Sequence, residues 1–187
     1  MNGKTYTKYA GALAFAGTFQ FIIAMIVAEA KYSGYSIRNN YISDLGVGPT
    51  APIFNASIII FGIAIAIVSY LVYKSINVKL FPALMFIAGL GAALVGVFPE
   101  GSPYNIHTLV SFVTFFFGSL AVISSFRIQK YIMSYISILI GLVSLISLSL
   151  YISGITLGIG VGGLERMIAY PILLWTLYFS GYLYSLK

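Results

Sequence analysis

YAGALAFAGTFQFIIAMIVA, residues 9–28, is a run of twenty residues without one charge. A hydrocarbon layer about 30 Å thick takes roughly 20 apolar residues to cross as a helix, so this run is of spanning length. Lys4 and Lys8 precede it, and Glu29 and Lys31 follow. That basic lead resembles the start of a secretory signal, but the apolar part is too long and no small-residue cleavage pattern closes it. It is therefore read as a retained membrane helix. The run lacks the strict alternation of a barrel strand, and only a helix or a closed barrel satisfies every backbone amide in lipid.

Five more runs repeat this signature, near residues 52–73, 80–98, 108–126, 131–151 and 164–186. The predicted fold is all-α, a single domain over residues 1–187 formed as a polytopic bundle of six transmembrane helices. Bulk composition agrees: 60% of the 187 residues are hydrophobic and 7% charged, with a mean hydropathy of +1.00. A soluble globule cannot be made from that mixture. The chain has no cysteine and one histidine, which excludes disulfides, thiolate chemistry, cysteine-held zinc and a bis-histidine haem within one chain.

A net charge of +6 invites a nucleic-acid reading, but the basic residues stand in ones and twos rather than in a stripe. Topology explains them better. Lys4, Lys8, Lys74, Lys79, Arg127, Lys130 and Lys187 fall at one end of the six runs, whereas Lys31, Arg38 and Arg166 fall at the other. Basic residues mark the inner side, so the N- and C-termini are predicted to be cytoplasmic in a multi-pass protein of the cell membrane. The opposite end holds all four acids, Glu29, Asp44, Glu100 and Glu165, together with His107. Acids contribute little to topology, so their gathering there asks for another reason.

Three outer connections carry the candidates. In the first, Arg38, Asn40, Ser43 and Asp44 stand between two apolar runs. Turn and cap bonds account for some of them, with Gly46, Gly48 and Pro49 bending the chain into the second helix. In the second, Glu100 and His107 lie seven residues apart across a turn containing Pro99 and Pro103. Such a pair suits general acid/base work with the carboxyl orienting the imidazole, although His107 could equally cap the fourth helix. In the third, Glu165 and Arg166 follow a glycine-rich stretch read as flexible. Glu165 suits the positive end of a helix dipole, whereas Arg166 borders the apolar run and needs a carboxylate or a phosphate. Arg166 is expected in one network with His107 and Asp44 or Glu165; Glu165 points ~100° away around the helix, so a different carboxylate or a ligand phosphate is the better partner.

Taken in order, Asn40-x-Ile42-Ser43-Asp44-Leu45-Gly46, then Gly96-Val97-Phe98-Pro99 with His107 beyond, then Gly163-x-Glu165-Arg166, the sequence resembles the membrane family catalogued as domain of unknown function 998. The resemblance covers nearly the whole chain, implies the same six-helix plan and points to Asn40, Ser43, Asp44, Pro99, His107, Glu165 and Arg166 as family-type positions. It implies no activity.

The leading functional expectation is an outer-face site for a lipid headgroup or small polar ligand. Arg38 and Arg166 would contact an anionic group, and Asn40, Ser43, Asp44, Glu100, His107 and Glu165 would supply the remaining hydrogen bonds. A second reading adds lipid hydrolysis or transfer, with His107 as base and Asp44 and Glu100 beside it. A third is an accessory subunit or scaffold among other membrane proteins. The expected partners are membrane lipids and, under the third reading, such subunits, not nucleic acid. No cofactor is called for, and His107 with carboxylates alone is a poor zinc set, so no metal is proposed. The charge map is checked in intact cells with a membrane-impermeant maleimide: cysteines at Ser36 and Ser102 should label and one at Ser75 should not. The reverse pattern would invert the topology.

Overall fold

The computed structural model describes residues 3–186. Six helices are present, α1 (Gly3–Lys31), α2 (Ala51–Ser75), α3 (Leu80–Val97), α4 (Ile106–Ser124), α5 (Ile132–Ile152) and α6 (Gly160–Ser185), and among the described residues there is no strand. Four single turns of 3-10 helix join them, at Ser43–Gly46, Gly48–Thr50, Pro103–Asn105 and Ser125–Arg127. The helices overrun the apolar stretches at several ends, most clearly where α1 begins at Gly3 and α6 at Gly160.

Five of the six helices are long and apolar enough to cross a membrane. α6 is the exception, because Glu165, Arg166, Pro171, Thr176, Ser180 and four tyrosines from Tyr170 to Tyr184 dilute its 26 residues. The sequence expectation of six spans is therefore met for five helices by length and composition.

Each helix packs on its neighbours in sequence, and α6 packs back on α1, so the six form a closed ring that α4 and α6 also bridge across the interior. Along the first half of α1 small residues face inward and large ones outward. On α1 the buried stripe is Ala10, Gly11, Ala14, Gly17 and Thr18, whereas Phe15, Phe19, Ile23 and Ile26 are 44–53% exposed. That inversion is the arrangement expected where the surrounding solvent is lipid, since helices there associate by close backbone approach rather than by hiding large apolar groups. The tightest approach joins α2 to α3: a Cβ on Gly62 would lie 2.3 Å from the Ala93 amide nitrogen and 2.5 Å from the Gly89 carbonyl.

The packed interior has two levels. Ala10, Val68, Val72, Phe81, Trp175, Phe179 and Leu183 form one cluster. The other gathers Phe21, Met25, Leu45, Phe54, Val95 and Leu173 beneath the first long connection. Gly3 lies near Ser75, and Gly11 against Ser180 and Tyr184, which places the start of α1 and the ends of α2 and α6 at the same end of the ring. The other end carries the long connections and is where the acids collect.

Candidate functional site

The first connection is tied to the top of α6. Gly160 has a φ of +80°, and a Cβ on Gly162 would sit 2.0 Å from the Asn40 carbonyl oxygen. Two of the glycines read as flexible, Gly160 and Gly162, are thus needed for close packing, and the Gly162 amide donates to the Arg38 carbonyl at 3.1 Å. One turn on, Arg166 is buried, with its side chain 6% exposed. Its Nη1 donates to the carbonyls of Ile37 (3.1 Å), Asn40 (3.2 Å) and Gly162 (2.9 Å). Its Nη2 donates to Glu29 Oε1 and to the Tyr35 hydroxyl, both at 2.6 Å. Tyr35 passes the chain on by donating to the Tyr41 carbonyl at 2.8 Å. Burial pushes the Tyr35 phenol up to about 12 despite the adjacent guanidinium, so it keeps the proton it donates.

The expected network is corrected here. The carboxylate that pairs with Arg166 is Glu29, in the last turn of α1, and neither Asp44 nor His107 joins them. Both terminal nitrogens of Arg166 are committed to protein acceptors, and Arg38 is exposed with its carbonyl turned toward Gly162. Asn40 and Asp44 shape the loop. Asn40 Nδ2 and the Tyr41 amide both donate to Asp44 Oδ2 at 2.9 Å, and the Ser36 amide donates to Asn40 Oδ1 at 3.0 Å.

The remaining candidates converge. Glu100, His107, Ser43 and Glu165 border one pocket of about 700 Å³, together with the tyrosines Tyr41 and Tyr151. His107 is half-buried in the first turn of α4. Its Nδ1 lies 2.9 Å from the Phe98 carbonyl. A carbonyl can only accept, so the proton sits on Nδ1 and Nε2 carries the lone pair. Ser111, one turn later on the same face, places its Oγ 3.4 Å from that Nε2. Glu165 is fully enclosed and accepts a short hydrogen bond from the Ile42 amide.

Below this pocket lies an apolar cavity of about 100 Å³, lined by residues of α1, α2, α3, α4 and α6, among them Phe21, Phe54, Ala92 and Trp175. Ser43, Ser111, Phe115 and Glu165 line both spaces. The two therefore meet at the level of the Glu165 carboxyl, polar above and apolar beneath. Ser111, Tyr151, Tyr35 and Glu29 had not been singled out in the sequence. Ser111 lies about one helical turn beyond His107, a spacing that signals a shared face.

Glu100, at the pocket lining, lies close to Asp44. Burial first, and then the hydrogen bond and charge of Asp44, push its carboxyl up to about 7. No group of three or more His, Asp or Glu suited to a metal ion occurs among the described residues. The family described as "Protein of unknown function (DUF998)" matches residues 15–181. No curated protein and no solved structure matches the chain.

Two outcomes follow. Arg166→Gln strands Glu29 and should cost about 3–5 kcal/mol, seen as a lower melting temperature in detergent, whereas His107→Ala should barely move it. The raised Glu100 carboxyl binds a proton in the folded protein between its unfolded value and about 7, so stability is greatest below that window and falls as pH rises through about 7. Melting scans from pH 5 to pH 8 should show the fall, and Glu100→Gln should flatten it.

Proposed function

The chain belongs to the DUF998 family, and from that premise we propose that it is a six-span membrane protein whose outer end binds one amphiphilic lipid, headgroup in the polar pocket and chain in the apolar cavity. The observation that carries this reading is the shared border, where Ser43, Ser111, Phe115 and Glu165 line both spaces. A purely polar ligand has no use for the lower cavity, and a purely apolar one leaves the carboxyls above it unmet.

α6 serves as the sixth span in this reading. Its charged start is neutralised by Glu29, and its remaining length buries Trp175, Phe179 and Leu183 against the other helices. The orientation follows the basic residues, with both chain ends on the cytoplasmic side.

The lining also narrows the headgroup. Glu100 and Glu165 border the polar pocket with the hydroxyl residues Tyr41, Ser43, Ser102, Thr108 and Tyr151, and no lysine or arginine does. The arginines expected to hold a phosphate are not at the lining: both terminal nitrogens of Arg166 are committed to Glu29, Tyr35 and backbone carbonyls, and Arg38 is exposed. A phosphate would meet carboxyls without a counter-charge, so the pocket favours a hydroxyl-rich or cationic headgroup.

Trp175 supplies the test, because it is the single tryptophan of the chain, is 4% exposed and lines the apolar cavity. It sits ten residues along α6 from Glu165, about 15 Å deeper. In liposomes, an alkyl glucoside brominated near its chain end should quench Trp175 fluorescence saturably, and the corresponding alkyl phosphate should quench it far less. Filling the cavity with Ala92→Phe should abolish the quenching. If neither amphiphile quenches saturably, the reading fails and an accessory subunit of a membrane complex becomes the better account.

A further inference from the structure

Hydroxyl groups inside this bundle mostly donate to a carbonyl of their own helix: Thr18 to Ala14, Thr114 to Val110, Ser119 to Phe115 and Thr176 to Ile172, each at 2.7 Å. That bond is the simplest way to satisfy a hydroxyl away from water. Ser111 stands in the same helix as Thr114 and Ser119 but turns its Oγ to the imidazole of His107, 3.4 Å from Nε2. Because Nδ1 of that ring donates to the Phe98 carbonyl at 2.9 Å, Nε2 is the basic nitrogen and the Ser111 hydroxyl is its donor. The order is hydroxyl, imidazole, fixed acceptor, which is the arrangement of an activated nucleophile with a backbone carbonyl in the orienting place. The contact is looser than the roughly 2.6–3.2 Å of a working pair, a difference that closes in many enzymes once substrate fills the site.

Position adds the second argument. In an acyl ester the scissile bond lies where chain meets headgroup. Ser111 lies where the apolar cavity meets the polar pocket, lining both. We propose that Ser111 is the nucleophile of an acyl-ester hydrolase or transferase acting on the amphiphile bound here, with His107 as general base and the Phe98 carbonyl holding the imidazole in register. This inference rests on the amphiphile reading above.

The chemistry closes without any group the chain lacks except water or an acceptor alcohol. As the Oγ–carbonyl carbon bond forms, the Ser111 proton passes to His107 Nε2. The bond from the carbonyl carbon to the headgroup oxygen then breaks, and Nε2 returns the proton to that oxygen, so the headgroup leaves as an alcohol. Water, giving its proton to Nε2, attacks the acyl-serine. The Oγ–carbon bond breaks, Oγ recovers a proton, and the fatty acid is released. Ser43, whose residue also borders both spaces, brings a second hydroxyl to the same junction.

The full chain, purified in detergent, is treated with octyl fluorophosphonate, which phosphonylates an activated serine with loss of fluoride, and the modified residue is located by peptide mass spectrometry. Labelling at Ser111 is expected, absent in Ser111→Ala and slowed about 100-fold or more in His107→Gln, the usual scale of a lost general base. Melting temperatures of both variants show that they remain folded. Equal labelling of Ser111→Ala, or an undiminished rate in His107→Gln, overturns the proposal. Wild-type protein that shows saturable quenching of Trp175 by the brominated glucoside but no label at Ser111 overturns the nucleophile and leaves the lipid site standing. Absence of both removes the two together.

Discussion

A guanidinium removed from water at the start of a helix has to be neutralised where it stands, and Arg166 is met by Glu29 from the far end of the sequence at 2.6 Å. Its two terminal nitrogens also reach three backbone carbonyls and a tyrosine hydroxyl. That arrangement fixes the path of the first connection over α6, because Ile37 and Asn40 cannot move without taking acceptors from a buried guanidinium nitrogen. Once Asn40 is placed, Ile42 is held close enough to donate to Glu165, and Ser43 and Tyr41 come to the rim of the polar pocket. A structural ion pair thus sets the outline of the site without entering it.

Charge is sorted at this end by distance from the pocket. The cationic groups are either consumed by the protein, as Arg166 is, or directed outward, as Arg38 is. The carboxyls of Glu100 and Glu165 remain at the lining. Glu100, raised to about 7 by burial and by Asp44, can be neutral or charged near physiological pH, which suits a site that exchanges hydrogen bonds with hydroxyl groups. Beneath it the Ser69, Thr114 and Ser144 hydroxyls are satisfied by carbonyls, so the bundle below the site is apolar in effect as well as in composition.

Hydropathy made five helices and their order legible, because a run of twenty apolar residues has few other uses. It could not report on α6 with the same force, since the sequence signal there is diluted by residues whose polar groups are satisfied only after folding: Trp175 Nε1 donates to Ser137 Oγ at 2.8 Å, and the Tyr182 hydroxyl donates to the Ile128 carbonyl at 2.5 Å. Gathering of acids at one end was also visible, and with it Glu100, His107 and Glu165. The pairing of Arg166 was not, because Glu29 lies 137 residues away and one acid at a helix end looks like any other boundary residue. Nor could composition separate Asn40 and Asp44, which brace a turn, from Ser43, which faces the pocket. That distinction depends on side-chain direction in an irregular loop, and no periodicity encodes it. Gly160 and Gly162 were misleading for a related reason: read singly they imply freedom, whereas against Arg38 and Asn40 no larger residue fits.

Ring closure by α6 also orders events during synthesis. The ribosome delivers Glu29 at the start of the chain and Arg166 near its end, so a nascent protein with α1 to α5 already inserted carries an acid without its base and a wall with one side missing. The arrival of α6 neutralises that acid, ties down the first connection and seals the interior from surrounding lipid in a single docking event. Without α6 the acid of α1 has no base and the ring is open on one side.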